Sequence, residues 1–273
     1  MRVGAFVAGA VLVAPMPVRP DPPNGIQLLE QYQVPALESE VGGIHPHATD
    51  DSLYYLVSNS KPAYAAGQRP KLPAAFRGKL LVVDRHSGRV VDAVPLPGNA
   101  FGGIASDGKR LFVSSLRPPE ILVFDLASKK VERRIPLDAP AGGLAYDAKR
   151  GHLLAQIYQK HPQLAVIDAA SGATVGSLWS DESAMDLKLV DDDLLCTWVS
   201  SFDRDAFSEL RRIDPATGRV TGRLRLAGIH SSMAALDPAV SGVVGFLSLV
   251  TTNKDTGEVT IQKRAYDRHS VVW

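Results

Sequence analysis

The sequence predicts an all-β chain folded as a five-bladed β-propeller of four-stranded antiparallel blades, closed by an N-terminal strand. Three observations predict it. A β-rich run ending in Asp and a short turn recurs five times, each unit carries four short strand signals, and one surplus strand near the N-terminus matches one missing at the C-terminus.

The repeat is read from its Asp turns. They are LVVD-RHSG at Asp84, LVFD at Asp125, LAVID-AASG at Asp168, LRRID-PATG at Asp214 and KRAYD-RHS at Asp267. The Asp positions are separated by 41, 43, 46 and 53 residues. Asp belongs there because its carboxylate accepts hydrogen bonds from the amides of the following turn. A Gly closing the turn supplies the positive φ it needs.

The second unit shows the four strands most clearly, at 102–106, 110–115, 120–125 and 130–136. Blades are expected at about 44–97, 98–137, 138–180, 181–228 and 229–273. The fifth unit ends just past its Asp turn, without a last strand. The run IQLLEQYQV at 26–34 precedes the first unit where a last strand belongs. Residues 26–36 are therefore expected to complete the fifth blade and remove the open sheet edge.

Ahead of the repeats, Met1-Arg2 and the apolar run 3–14 read as a signal peptide, too short to span a bilayer. Residues 15–25 form a Pro-rich linker, and 26–273 a single domain. The protein is expected to be secreted or periplasmic, and monomeric. A formal charge of +1 gives no bulk electrostatic case for nucleic acid or an anionic membrane. The 45% hydrophobic residues are enough for a sizeable core and exclude a disordered chain. One cysteine, Cys196 in the run LLCTWV, excludes an intrachain disulfide and a Cys-based metal site; it reads as a small core residue.

The units resemble the YVTN or YncE-like propeller repeats. The run ILVFDLASKKVERRIPLDAPAGGLAYDAKRGHLLA at 121–155 carries the resemblance best, and it extends over roughly residues 40 to 267. It implies the fold and leaves function open, since such repeats serve binding proteins and enzymes alike. The motifs of glutaminyl cyclase-type five-bladed propellers are not found. The acidic and Asn metal set of gluconolactonase-like propellers is not found either.

A four-stranded meander sends the links between blades and those from second to third strand to one face. The other turns go to the opposite face, and they are tight. The long segments lie on the first face: 59–78 (NSKPAYAAGQRPKLPAAFRG), 200–207 (SSFDRDAF) and 35–43 with Glu38 and Glu40. The first carries Lys61, Arg69, Lys71 and Arg77 without an acid, which reads as a lid over an anionic ligand or as a mobile insertion. This face is expected to bind the ligand.

The candidate chemistry gathers there. His45-Pro46-His47 puts two imidazoles on one side of a first strand, toward the axis. Aligning the units places Asp186 and Lys188 near the same levels, with His230 slightly above. His45, His47, Asp186 and His230 form the candidate catalytic set. Phe101, Tyr158, Lys188, Phe202, Tyr64 and Arg69 form the candidate ligand wall. No metal ligand is assigned and no cofactor motif is present; a divalent ion is the one cofactor the His and Asp set suggests. The glycine pairs Gly102-Gly103 and Gly142-Gly143 read either as a close backbone approach to a ligand or as crowding of first strands around a narrow axis.

Two functions follow. One is a secreted propeller binding a small molecule or partner at the mouth of its axial channel. The other is an enzyme of lyase, cyclase or hydrolase type, using the His and Asp set as general acid and base. The sequence does not decide between them.

Overall fold

A computed structural model describes residues 26–34, 44–48, 52–57, 78–84, 90–98, 101–159, 163–179, 186–190, 192–199, 207–226, 232–236, 245–252 and 259–266. For the strands before residue 78 and after residue 230 the backbone pairing is described, not the side chains.

Among the described residues, twenty strands fall into five antiparallel sheets of four. Strand β1 (Ile26–Val34) comes first in the chain. Sheet I holds β2 (Ile44–Ala48), β3 (Ser52–Val57), β4 (Lys79–Asp84) and β5 (Val90–Pro95). Sheet II holds β6 (Phe101–Ser106), β7 (Arg110–Leu116), β8 (Pro119–Asp125) and β9 (Lys130–Pro136). Sheet III holds β10 (Ala141–Asp147), β11 (His152–Ile157), β12 (Gln163–Asp168) and β13 (Thr174–Trp179). Sheet IV holds β14 (Asp186–Val190), β15 (Asp193–Val199), β16 (Ser208–Ile213) and β17 (Val220–Leu226). Sheet V holds β18 (Ser232–Leu236), β19 (Gly245–Thr252) and β20 (Val259–Tyr266), with β1 as its fourth strand. The N-terminal strand pairs antiparallel with β20 from Ile26 opposite Tyr266 to Val34 opposite Val259.

The turns obey the chemistry expected of them. Asp125 Oδ1 accepts the Ser128 N–H at 2.6 Å, and Asp168 Oδ1 accepts the N–H and Oγ–H of Ser171, each at 2.6 Å. Asp214 accepts the Ala216 N–H and the Thr217 hydroxyl, both at 2.8 Å. Gly172 and Gly218 close two of these turns at φ +81° and +75°. The turns after Asp84 and Asp267 lie outside the described residues.

A second set of Asp caps ends the first strands. Asp147 Oδ1 accepts the N–H of Lys149 and of Arg150, and Oδ2 accepts from the Arg150 guanidinium at 2.7 Å. Burial pushes the Asp147 carboxyl up, but these donors and the Arg150 charge outweigh it and hold it below the ordinary carboxylate value. A depressed carboxyl stabilises the fold above its unfolded-state pKa, and that stabilisation is lost as pH falls through the folded one. Asp147→Asn should therefore cost most stability near neutrality, and the cost should shrink on acidification. Urea unfolding of both proteins across pH 2–7 checks this (roughly the window of a lowered carboxylate); a pH-independent gap would remove the cap from the account.

The sheets stack face to face. Leu80 of sheet I and Leu96, just past β5, meet Ile104, Val113, Leu122 and Phe124 of sheet II. Phe112, Ile121, Val123 and Ile135 of sheet II meet Leu144, Leu153 and Ile167 of sheet III. Ala145, Leu154 and Leu164 of sheet III meet Leu187, Leu194, Cys196 and Ile213 of sheet IV. The fourth strands are half-exposed, as the alternation of β9 shows. First strands touch first strands: β2 with β6, β6 with β10, β10 with β14, β14 with β18, and β18 with β2.

Candidate site at the mouth of the first strands

Glycine sets how closely the first strands approach. A Cβ on Gly102 would overlap the Ala141 carbonyl oxygen, and one on Gly103 would lie 2.7 Å from that of Gly142. A Cβ on Gly143 would overlap the Leu187 amide nitrogen and lie 2.7 Å from the Asp186 carbonyl carbon. For Gly102, Gly103 and Gly143 the structure shows crowding of first strands, whereas the Cβ position of Gly142 is taken by the Tyr158 phenol. The contacts also show that β6, β10 and β14 begin side by side, so one end of all three is a common mouth.

The sequence DLKLV on β14 sends Asp186 and Lys188 to one side. Both are buried, at 0% and 4% exposure. Lys188 Nζ donates to Asp186 Oδ1 at 2.9 Å, to the Leu187 carbonyl at 3.0 Å and to the Ile104 carbonyl at 2.9 Å. Ile104 sits on β6, two sheets away, so the ammonium spans from sheet IV to sheet II. All three ammonium protons are engaged by protein oxygens. Asp186 Oδ1 also accepts the Leu187 N–H at 2.9 Å.

Tyr158 follows β11 and reaches the same end. Its backbone N–H donates to the Pro140 carbonyl at 2.8 Å. Its phenol occupies the space above Gly142, where a Cβ would overlap Oη and Cζ. Burial, and then the Asp186 charge, push the phenol up to about 12. Tyr158 is thus a protonated hydroxyl throughout the neutral range. Beside it Ser114 Oγ donates to the Gly142 carbonyl at 2.9 Å.

Sheet IV carries a second polar group that sequence reading missed. Arg211 is 4% exposed, stacks 3.9 Å from the Trp198 ring centroid and pairs with Glu209 at 2.7 Å. Burial pulls the Arg211 guanidinium down to about 10, with Arg223 nearby adding to it. Arg225 lies 4.1 Å from the Phe207 centroid. Thr197, fully buried, stands opposite Asp186 in the β14–β15 register. In sheet II, Glu120 pairs with Arg134 at 2.8 Å.

A pattern emerges from the buried polar residues that are described. Ser114, Ser115, Glu120, Gln156, Asp186, Thr197 and Ser208 lie in the mouth-side parts of their strands, and Lys188 and Arg211 at mid-strand. Asp147 alone lies at the other end, where it caps a turn.

Cys196 is buried at 3% exposure. Burial, followed by the charges of Asp186 and Glu209, pushes its thiol up to about 12. A thiol-reactive dye at pH ~8 should therefore label Cys196 only as the chain unfolds globally. Labelling that outpaces unfolding would show a local opening of sheet IV.

Asp186, Lys188 and Tyr158 come together as described. His45 and His47 stand on β2 opposite Leu56 and Tyr54, and Phe101 opens β6 opposite Ser115, but their side chains lie outside the described residues. His230, Phe202, Tyr64 and Arg69 lie outside them entirely. Among the described residues no group of three His, Cys, Asp or Glu side chains is placed to hold a metal ion. No helix among them is long and apolar enough to cross a membrane.

No protein-family model matches the chain, and no curated protein matches it. Solved structures do. The Myxococcus xanthus glutaminyl cyclase is 17% identical, with a TM-score of 0.61 over 89% of this chain and 97% of that one. The hydrazine synthase of Kuenenia stuttgartiensis is 14% identical, with a TM-score of 0.50 over 78% of this chain and 57% of that one. The chain has a β-propeller-type fold. At these identities the likeness speaks for the fold alone. No family match supports the YVTN-type repeat resemblance in particular.

Proposed function

We propose that the five sheets are the blades of a closed propeller whose common mouth binds a small molecule, with Tyr158, Ser114 and Thr197 in its wall. The observation that carries this reading is the gathering of buried polar side chains toward the mouth. Burying a polar group is costly, and a ring needs only apolar contacts to stack its blades. In the same reading residues 1–14 direct export, to be checked by N-terminal sequencing of the protein recovered outside the cytoplasm.

The test is a fragment collection screened by ligand-observed NMR. Fragments that bind the wild type should weaken by about three- to tenfold on Tyr158→Phe, the worth of one hydrogen bond. Fragments indifferent to both Tyr158→Phe and Thr197→Val would take binding away from this mouth.

The likeness to a glutaminyl cyclase favours a second reading, a cyclase working in the same pocket. His45, His47 and His230 with Asp186 would serve it as acid and base. An N-terminal glutaminyl dipeptide incubated with the protein would then release ammonia, in amounts that fall when His45 and His47 are both replaced by Ala. No ammonia above the protein-free control rejects that substrate.

A further inference from the structure

Sheet IV gathers positive charge on one face. In the strand register Glu209 stands opposite both Trp198 and Arg225, and Arg211 opposite both Cys196 and Arg223. Directly opposed residues share a side of a sheet, and so do residues i and i+2 of one strand. Trp198, Glu209, Arg211, Arg223 and Arg225 therefore lie on one face. It is the face turned to sheet III, since Cys196 packs there with Leu154 and Leu164. Glu209 is the one acid that β15, β16 and β17 place on it, against three guanidinium groups. Like charges directly opposed across two strands repel, and Arg211 and Arg223 are so opposed. Burial, and then the Arg223 charge, pull the Arg211 guanidinium below its ordinary value even with Glu209 beside it.

The three arginines are held in different ways. Arg211, 4% exposed, gives Glu209 its side fork, with Nε and Nη2 each 2.7 Å from Oε2. Its Nη1, on the end fork, is buried and has no hydrogen-bond partner among the described residues. A buried donor of this sort calls for an explanation, and a bound acceptor is one. The Arg223 side chain is half-exposed, with Nε 4.0 Å from the same Glu209 oxygen. Arg225 is exposed, its guanidinium resting over the Phe207 ring, and no acid among the described residues pairs with it. Stacking on Trp198 and Phe207 occupies the faces of Arg211 and Arg225 and leaves their N–H groups in plane. A carboxylate is the planar acceptor that such a fork takes. The two rings, with half-buried Leu178 across the gap, offer apolar surface to an organic body.

We propose that this face binds the carboxylate of a small organic acid. Arg223 and Arg225 hold it at the outer edge of sheet IV, with Arg211 behind them and the rings of Trp198 and Phe207 beside it. The site uses the second, third and fourth strands of sheet IV. It is independent of the mouth at the heads of the first strands.

Benzoate and benzamide test this, being nearly equal in shape but different in charge at pH 7. Each is titrated into the wild type, Arg223→Gln and Arg225→Gln, with Tyr158→Phe as the control at the mouth and melting curves of all variants compared first. Benzoate should bind at least about fivefold more tightly than benzamide and weaken about three- to tenfold in each Arg variant. Raising NaCl to about 0.5 M should weaken benzoate and spare benzamide. Tyr158→Phe should change neither. Benzoate no tighter than benzamide, or indifferent to both Arg substitutions, overturns the inference. That is the result expected if Asp203 and Asp205, ahead of Phe207 in the chain and outside the described residues, already answer the arginines. Benzoate weakened by Tyr158→Phe alone places the carboxylate at the mouth, which overturns this site and supports the other. Inorganic phosphate bound more tightly than benzoate overturns the carboxylate class.

Discussion

Replacing Lys188 with Met should cost about 3–5 kcal/mol, the penalty for leaving one member of a buried ion pair uncompensated. Asp186 is fully buried, and Lys188 is its close cation at 2.9 Å. The substitution also leaves the Ile104 and Leu187 carbonyls without their ammonium donor. The double variant Lys188→Met/Asp186→Asn should recover much of the loss. It removes the unpaired charge but keeps an oxygen for the Leu187 N–H, which now donates to Asp186 Oδ1. Urea unfolding of the two single variants and the double closes the cycle, and a coupling well above 1 kcal/mol, roughly the ceiling for an exposed pair, is expected. A single-variant loss below that ceiling, with no coupling, would mean that water reaches the pair and that it does not brace the axis.

Gly143→Ala should be nearly as damaging, at about 3 kcal/mol, the upper end for overpacking. The added Cβ meets the backbone of Asp186 and Leu187, which has no rotamer to move to. Relief would need β14 to back away from β10, taking the Lys188 bridge with it. Gly176→Ala on β13 is the control. Nothing lies within 4 Å of its Cβ position and its φ is not positive, so the change should be neutral or stabilise by up to ~1 kcal/mol. Melting curves of the two variants separate these cases. Equal effects would show that the first strands are not in contact through their glycines.

Much of the fold was readable because its signals are local. The turn at Asp168 is built from bonds to Ser171, three residues on, so its chemistry is contained within a single window of sequence. Strand limits behaved likewise: the four strands expected in the second unit match β6 to β9 to within a residue or so. The pairing of β1 with β20 is a contact between distant parts of the chain, and no local signal carries it. The site was readable only in part. Asp186 and Lys188 could be placed together because residues i and i+2 share a side of a strand. Arg211 and Glu209 were passed over, because Arg and Glu in the run ELRRI look like the solvent face of a strand. The signal was there in Trp198, but it needed the β15–β16 register that sets Trp198 opposite Glu209.

The sequence by itself thus determined the repeating strand and turn units, and which stretches form strands. Each rests on contacts between residues close in the chain, or on an alternation that any half-buried strand must show. Only the tertiary structure decided where the charges end. That Lys188 rests on the Ile104 carbonyl, 84 residues earlier, follows from how near β14 can come to β6. That the Tyr158 phenol lies over Gly142 follows from how β11 delivers it to the head of β10. These distances are set by glycines that let backbones touch across sheets. Such contacts depend on the summed packing of several strands at once, and no single stretch of sequence carries that sum.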